Sequence, residues 1–286
     1  MIHGMRTSIL PKIGYYIYVA LFITYLFGPL LVTAILAFNN STSPSFPWNG
    51  FTLDWFFSTD PQHLGIIGDR HLMDAVISSL KVASWVTLIS VLVGINNAFM
   101  FERVAFHGKG LLYVLMMAPL VVPGVILGIS ILAFSNSVAG GIESFLGRGT
   151  ANFLRPGFWL VVMGQSSFVA TYTTLVITAR LRKFDLALEE AAMDLGASRL
   201  AAIGLITLRF LLPAIIGGGM IAFLFSFENF NTTYFLSGPN PTLPVLFYSR
   251  LRFGITPQIN AVSVMLMAVT GVLGIFATLT SRSAIT

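Results

Sequence analysis

The chain has no cysteine, which excludes a disulfide framework, a cysteine-ligated zinc site and a thiol nucleophile. Charge is almost as scarce. Asp, Glu, Lys and Arg make up 9% of the 286 residues, against roughly 25% in an ordinary soluble domain. Eleven acids and sixteen bases leave a net charge of +5. So few charges do not coat a soluble fold of this size, so a soluble enzyme, a disordered tail and a nucleic-acid binder are excluded. The four histidines, His3, His63, His71 and His107, share no helical face, so no metal site is expected. No Ser–His–Asp set points to catalysis either. The alternating pattern of a membrane β-barrel is also missing, and no internal repeat is visible.

What is present is apolar. Hydrophobic residues reach 56%, with 25 Phe, and the natural solvent of such a chain is the lipid bilayer. A spanning helix needs roughly 20 mostly apolar residues. Six runs qualify: Tyr15 to Phe38, Ala75 to Phe101, Leu111 to Phe134, Gly157 to Ala179, Ala214 to Leu236 and Pro257 to Leu279. The first follows Arg6 and Lys12 without a small-residue cleavage site, so it is expected to stay in the protein. Basic residues in loops favour the cytoplasmic side. With the N-terminus inside, ten lie inside: Arg6, Lys12, Arg103, Lys109, Arg180, Arg182, Lys183, Arg199, Arg209 and Arg282. Five lie outside: Arg70, Arg148, Arg155, Arg250 and Arg252. Lys81 lies near the outer end of the second run, where it can snorkel. The expectation is an all-α membrane protein, one domain over 1–286, with six transmembrane helices and both termini cytoplasmic.

The loop at 180–213 is too organised for a linker. Asp185 to Leu195 has helical periodicity, with an apolar stripe of Leu186, Leu188, Ala191, Ala192 and Leu195 beside Glu189, Glu190 and Asp194. Gly196 suits a helix C-terminus that needs positive φ, and Ser198 suits the N-cap of a second helix. Such a unit fits a partner's groove as a docking helix, although a solvated amphipathic connector reads the same way.

The run from Glu190 to Ser198, EAAMDLGAS, followed by Ile206, Leu208 and Pro213, resembles the EAA loop of binding-protein-dependent ABC transporter permeases. Arg209 departs from the family, which usually has Pro there. The resemblance runs from about Tyr15 to Leu279. Pro29, Phe38-Asn39-Asn40, the segment WNGFTLDWF from Trp48, Met117-Ala118-Pro119 and Leu236-Ser237-Gly238-Pro239 are similar to the spermidine/putrescine permease branch. Thr171-Tyr172 stands where that branch often has Pro before an aromatic. The resemblance implies the ABC type I importer permease fold. It also implies a cytoplasmic ATPase dimer, a second homologous permease and a periplasmic substrate-binding protein as partners. Glu189, Glu190, Ala191, Ala192, Asp194 and Gly196 would then form the ATPase-coupling element, the three acids pairing with Arg or Lys at the groove rim. No cofactor is expected in this chain. ATP and Mg would sit on the partner, because Phe106 to Gly110, FHGKG, lacks the spacing of a phosphate loop.

A transport pathway needs polar groups inside the membrane. Glu228, 14 residues into the fifth run, is expected in the outer half of the bilayer. A carboxylate there costs roughly 2.5–3.5 kcal/mol on insertion scales and should face protein or water. It is either a structural partner of a cation or a contact for the transported solute. Phe227, Asn229, Asn231 and Tyr172 accompany it as pathway candidates, a set suited to an ammonium group. The polar residues of the fourth run, such as Gln165, Ser166 and Thr173, serve either helix packing or the pathway. In the loop from Asn39 to Asp74, Trp48, Phe51, Trp55, Phe56 and Phe57 form either an interfacial belt or a docking surface. Other readings remain: a stand-alone secondary transporter or channel, or an intramembrane enzyme.

Overall fold

Ile9–Leu36 (α1) carries Tyr15, Phe22, Tyr25 and Leu31 exposed around its whole circumference, the all-round apolar character of a membrane-spanning helix. The computed structural model describes the backbone of residues 9–60, 64–252, 254 and 256–282, and side chains over 12–60, 64–252, 254, 256–272 and 274. His3, Arg6, His63 and the Arg282 side chain therefore lie outside the described residues. Among the described residues every regular element is a helix, beside one isolated antiparallel bridge between Asn39 and Phe51. It forms two units, Met1–Arg70 with Arg250–Val269, and His71–Ser249 with Thr270–Thr286.

In the first unit the loop after α1 folds around Asn39. Its amide donates to the carbonyls of Ser45 and Pro47, and its carbonyl oxygen accepts from the Asn49 backbone at 2.8 Å. Trp55, in the short helix Asp54–Phe57 (α2), donates its indole N–H to the Asn39 backbone at 2.9 Å. Phe38 stacks on Phe51 and Phe56. Trp55 is thus buried, while Trp48, Phe51 and Phe57 stay exposed, so the loop aromatics divide between a local core and a free surface. Asp69 pairs with Arg250 at 2.7 Å.

The second unit is built on Phe158–Leu181 (α6), the most buried of its long helices. Arg70–Arg103 (α3), Lys109–Val121 (α4), Gly124–Leu146 (α5) and Leu208–Phe227 (α9) are the other apolar helices. Small residues let the backbones approach. A Cβ on Gly94 would meet the Thr173 hydroxyl at 2.6 Å, and one on Gly164 would run into the Leu236 side chain. Val86, Leu160, Val162, Val169, Ala222 and Leu236 form one core cluster; Ala98, Ile177, Leu181, Phe184 and Leu211 form another at the end where α6 meets the 180–213 loop.

Two boundaries differ from the sequence reading. The third run is not one helix from Leu111 to Phe134. The backbone is extended at Val122 and Pro123, so α4 stops at Val121 and α5 starts at Gly124. Pro123 brings no N–H to continue α4. α5 then continues to Leu146, through a stretch expected to be loop. Ser135 and Ser137 donate back to the carbonyls of Leu132 and Ala133, which keeps hydroxyls inside a helix. The fifth run starts earlier and ends earlier than expected. Arg199–Ala202 (α8), a π turn over Ile203–Thr207 and α9 form one continuous helix of 29 residues, about 44 Å long. Among the described residues five helices are long and apolar enough to cross a membrane. Lys109–Val121 and Pro257–Val272 are shorter apolar helices, the latter within Pro257–Arg282, which is numbered α12 after Thr233–Leu236 (α10) and Leu243–Leu251 (α11).

Candidate functional site

The loop of 180–213 forms a short helix, Ala187–Asp194 (α7), with the Asp185 carboxylate accepting from the Ala187 N–H at 3.0 Å. It ends in a Schellman turn: Gly196 N–H donates to the Met193 carbonyl and Ala197 N–H to the Ala192 carbonyl, with Gly196 at φ +93°. The Ser198 hydroxyl accepts from the Ala201 N–H and caps α8.

Of the three acids placed on the outer face, Glu189 is turned the other way. It is 6% exposed and accepts two hydrogen bonds from the Arg103 guanidinium, the shorter 3.1 Å, plus one from the Thr207 hydroxyl. This corrects its expected place at a partner's rim. Glu189 instead joins α7 to the end of α3 and to the π turn leading into α9. Arg103 also lies 5.5 Å from the Phe184 ring centroid. Nearby, Arg182 pairs with Glu102 at 2.8 Å, and Arg180 stacks on Phe210 at 4.2 Å. Arg103 and Thr207 were missed in the sequence because they lie 86 and 18 residues from Glu189. The only signal was a lone Arg at the end of an apolar run.

With Glu189 and the half-buried Ala192 inward, α7 presents Ala191, Glu190, Asp194 and the flanking leucines outward. Leu195 and Leu200 are 91% and 83% exposed, and Leu186 and Leu188 about half. Glu190 and Asp194 make no ion pair among the described residues. A helix with its polar anchor inside and leucines outside is arranged for a second surface.

At the other end of α9, Glu228 is not inside a helix. It is the C-cap, exposed, and makes no ion pair among the described residues. The chain then breaks over Glu228–Thr232 before α10. The break is held from beneath. Asn229 accepts from the N–H and hydroxyl of Thr233, Gln165 donates to the Thr233 hydroxyl at 2.7 Å, and Ser226 donates to Gln165. Thr232 donates to the Gly124 carbonyl, and Asn231 stands against Gly124. Phe227 stacks on Phe223, whereas Tyr172 packs edge-on against Phe225 at 4.7 Å. Phe227 to Asn231 therefore stand together at the helix end, and Tyr172 packs against the last turn of α9, on Phe225. Gln165 is fully buried, so Gln165→Ala strands the Ser226 hydroxyl and leaves the Thr233 hydroxyl with Asn229 alone. The expected cost is about 1–2 kcal/mol, read as a thermal midpoint lowered by several degrees in detergent.

No protein-family model matches the chain. Individual proteins do. It is 34% identical to the putrescine transport system permease protein PotI of Escherichia coli over 256 residues, 89% of this chain and 85% of that one. It is 28% identical to the spermidine/putrescine transport system permease protein PotC of Escherichia coli over 263 residues, 90% of each. The fold matches a chain of the crystal structure of a bacterial alginate ABC transporter in complex with an alginate pentasaccharide-bound periplasmic protein. The TM-score is 0.67 at 18% identity, covering 98% of both chains. The chain belongs to the binding-protein-dependent ABC transporter permeases. Within them it falls in the spermidine/putrescine permease branch, as a multi-pass inner-membrane transport subunit.

Proposed function

We propose that this chain is the permease subunit of an ATP-driven polyamine importer, and that the unit from Asp185 to Ser198 couples it to a separate ATPase dimer. The observation that carries this reading is the orientation of α7. Its acid Glu189 is tied to the bundle, while Leu186, Leu188, Leu195 and Leu200 are left outside. A loop that moves rigidly with α3 and α9 transmits a push; a flexible one absorbs it. Glu190, Ala191, Asp194 and Gly196 belong to the docking surface. Glu189 and Ala192 set its angle.

The chain crosses the membrane six times, α4 and α5 together making the third crossing, with both termini cytoplasmic. A second homologous permease completes the pathway, and a periplasmic binding protein delivers the solute; the alginate ABC transporter of similar fold is in complex with a periplasmic protein that holds an alginate pentasaccharide. ATP and Mg are bound by the ATPase. Glu228, Phe227, Asn229 and Asn231 meet the solute at the outer end of α9, with Tyr172 beside its last turn. A free carboxylate beside aromatic faces and amides suits a diamine.

A mild-detergent pull-down of the tagged chain from its native membranes tests the assembly. An ATPase and a second permease are expected with it; recovery of the folded chain alone would overturn the reading. Gly196→Val probes the loop itself. Nothing crowds a Cβ there, but φ is +93°, which costs a β-branched L-residue roughly 1–2 kcal/mol. Insertion and amount should be normal, with transport lost and ATP hydrolysis no longer responding to solute. Normal transport in that variant would contradict the docking geometry.

A further inference from the structure

Beside the start of α6, at the opposite end from α7, lies a cavity of about 430 Å³ that the transport reading does not use. Lys81 lines it and makes no ion pair among the described residues; no acid lines it. Its floor is the N-terminus of α6, a helix of 24 residues whose N-cap is Gly157, without a capping side chain. The first N–H groups of such a helix lack intrahelical partners and carry partial positive charge. Thr242 is also in the wall. It is 5% exposed, and its hydroxyl has no hydrogen-bond partner.

The motif Leu236-Ser237-Gly238-Pro239 shapes the rim. Gly157 N–H donates to the Leu236 carbonyl, and a Cβ on Gly238 would meet the Pro156 carbonyl oxygen at 2.8 Å. Only glycine lets this strand of chain lie so close. The Ser79 hydroxyl accepts from the Leu243 N–H at 2.8 Å and pins the far side of the loop to α3. Val82, Trp85 and Val161 make the apolar part of the wall, and Ser78, Ser237 and Asn240 line the rest. Trp85 meets Trp159 edge-on at 5.6 Å, and Trp159 is in the first turn of α6. Paired tryptophans at a helix end mark the membrane–water interface.

We propose that this cavity binds the phosphate of an anionic phospholipid headgroup. Lys81 supplies the charge, the α6 N-terminus supplies N–H donors, and Thr242 supplies a hydroxyl. The apolar wall beside Trp85 takes the glycerol and the start of the acyl chains. Lys81 repels a cationic solute, so the cavity is separate from a polyamine pathway. Free inorganic phosphate offers the same chemistry, but the tryptophan pair and the apolar wall favour the lipid.

The test uses the permease purified in mild detergent with whatever subunits accompany it. It is titrated with phosphatidylglycerol, with phosphatidylethanolamine and, separately, with inorganic phosphate, and bound molecules are counted by native mass spectrometry. One phosphatidylglycerol is expected to bind in preference to phosphatidylethanolamine. Lys81→Gln should weaken it about tenfold, the loss of a charge-assisted hydrogen bond, and Lys81→Arg should restore it. Thr242→Val should weaken it several-fold at an unchanged thermal midpoint. Equal binding of the two lipids, or an unchanged titration in Lys81→Gln, would overturn the proposal. So would binding of inorganic phosphate without lipid, or cross-linking of Lys81 to an acidic segment of another protein.

Discussion

Arg103→Ala should leave the permease inserted and assembled but nearly abolish transport driven by ATP. The argument is electrostatic. Glu189 is buried and is satisfied by the Arg103 guanidinium and the Thr207 hydroxyl. Without Arg103 a buried carboxylate keeps a single neutral donor. Breaking a buried ion pair costs about 3 kcal/mol at the low end of measured cases. The low end applies here because Arg103 retains 19% exposure. The chain has a cheaper option than bearing that cost, which is to swing α7 outward and hydrate Glu189. A penalty of 3 kcal/mol shifts that local equilibrium by roughly a hundredfold. The loop then stays present and loses its fixed angle. ATP hydrolysis should continue while solute uptake falls toward background. Glu189→Gln should be milder, since an amide still accepts from Thr207. Exchanging both residues, Arg103→Glu with Glu189→Arg, should recover part of the loss. Full transport by Arg103→Ala would show that the anchor is dispensable.

Glu228→Gln is the second large effect. Glutamine keeps the shape and removes the charge. Glu228 caps α9 through its backbone N–H, beside a break held by Asn229, Gln165 and Thr233, so the fold does not depend on the carboxylate. A charge-assisted hydrogen bond from an ammonium group to a carboxylate contributes about 1.5–3 kcal/mol. Putrescine uptake should therefore fall at least about tenfold at equal amounts of complex. Because the effect is on the charge of the solute, a neutral competitor should be rejected less strongly by the variant. Unchanged putrescine uptake would return Glu228 to a structural role, facing a cation on the second permease.

The elements that announce themselves in the sequence are those governed by local chemistry. Gly196 and Ser198 are read correctly as helix end and helix start because positive φ and a capping hydroxyl are properties of one residue and its near neighbours. Apolar runs mark the long helices for the same reason. Three features were not legible. α5 runs past Ser135, Asn136 and Ser137, which look like a loop. Their polarity is absorbed by back-bonding to the helix and by Arg155, which donates to Asn136 from 19 residues away. The end of α9 at Phe227 has no Gly or Pro to mark it; it is fixed by Gln165, 68 residues from Thr233. Glu189 looked like Glu190, one position along the same helix. What separates them is a partner on another helix, and periodicity alone does not say which acid faces it.

The most direct test of the coupling account exploits the absence of native cysteine. Leu195→Cys places a single thiol at a 91% exposed position of the loop without background from the rest of the chain. A short bifunctional thiol–amine reagent applied to native membranes should join it to one other protein, an ATPase, with a yield that changes when ATP is added. Thr150→Cys, on the loop at the opposite end of α6, should give no such product. Absence of an ATPase adduct at Leu195→Cys in a transporting complex would contradict the account.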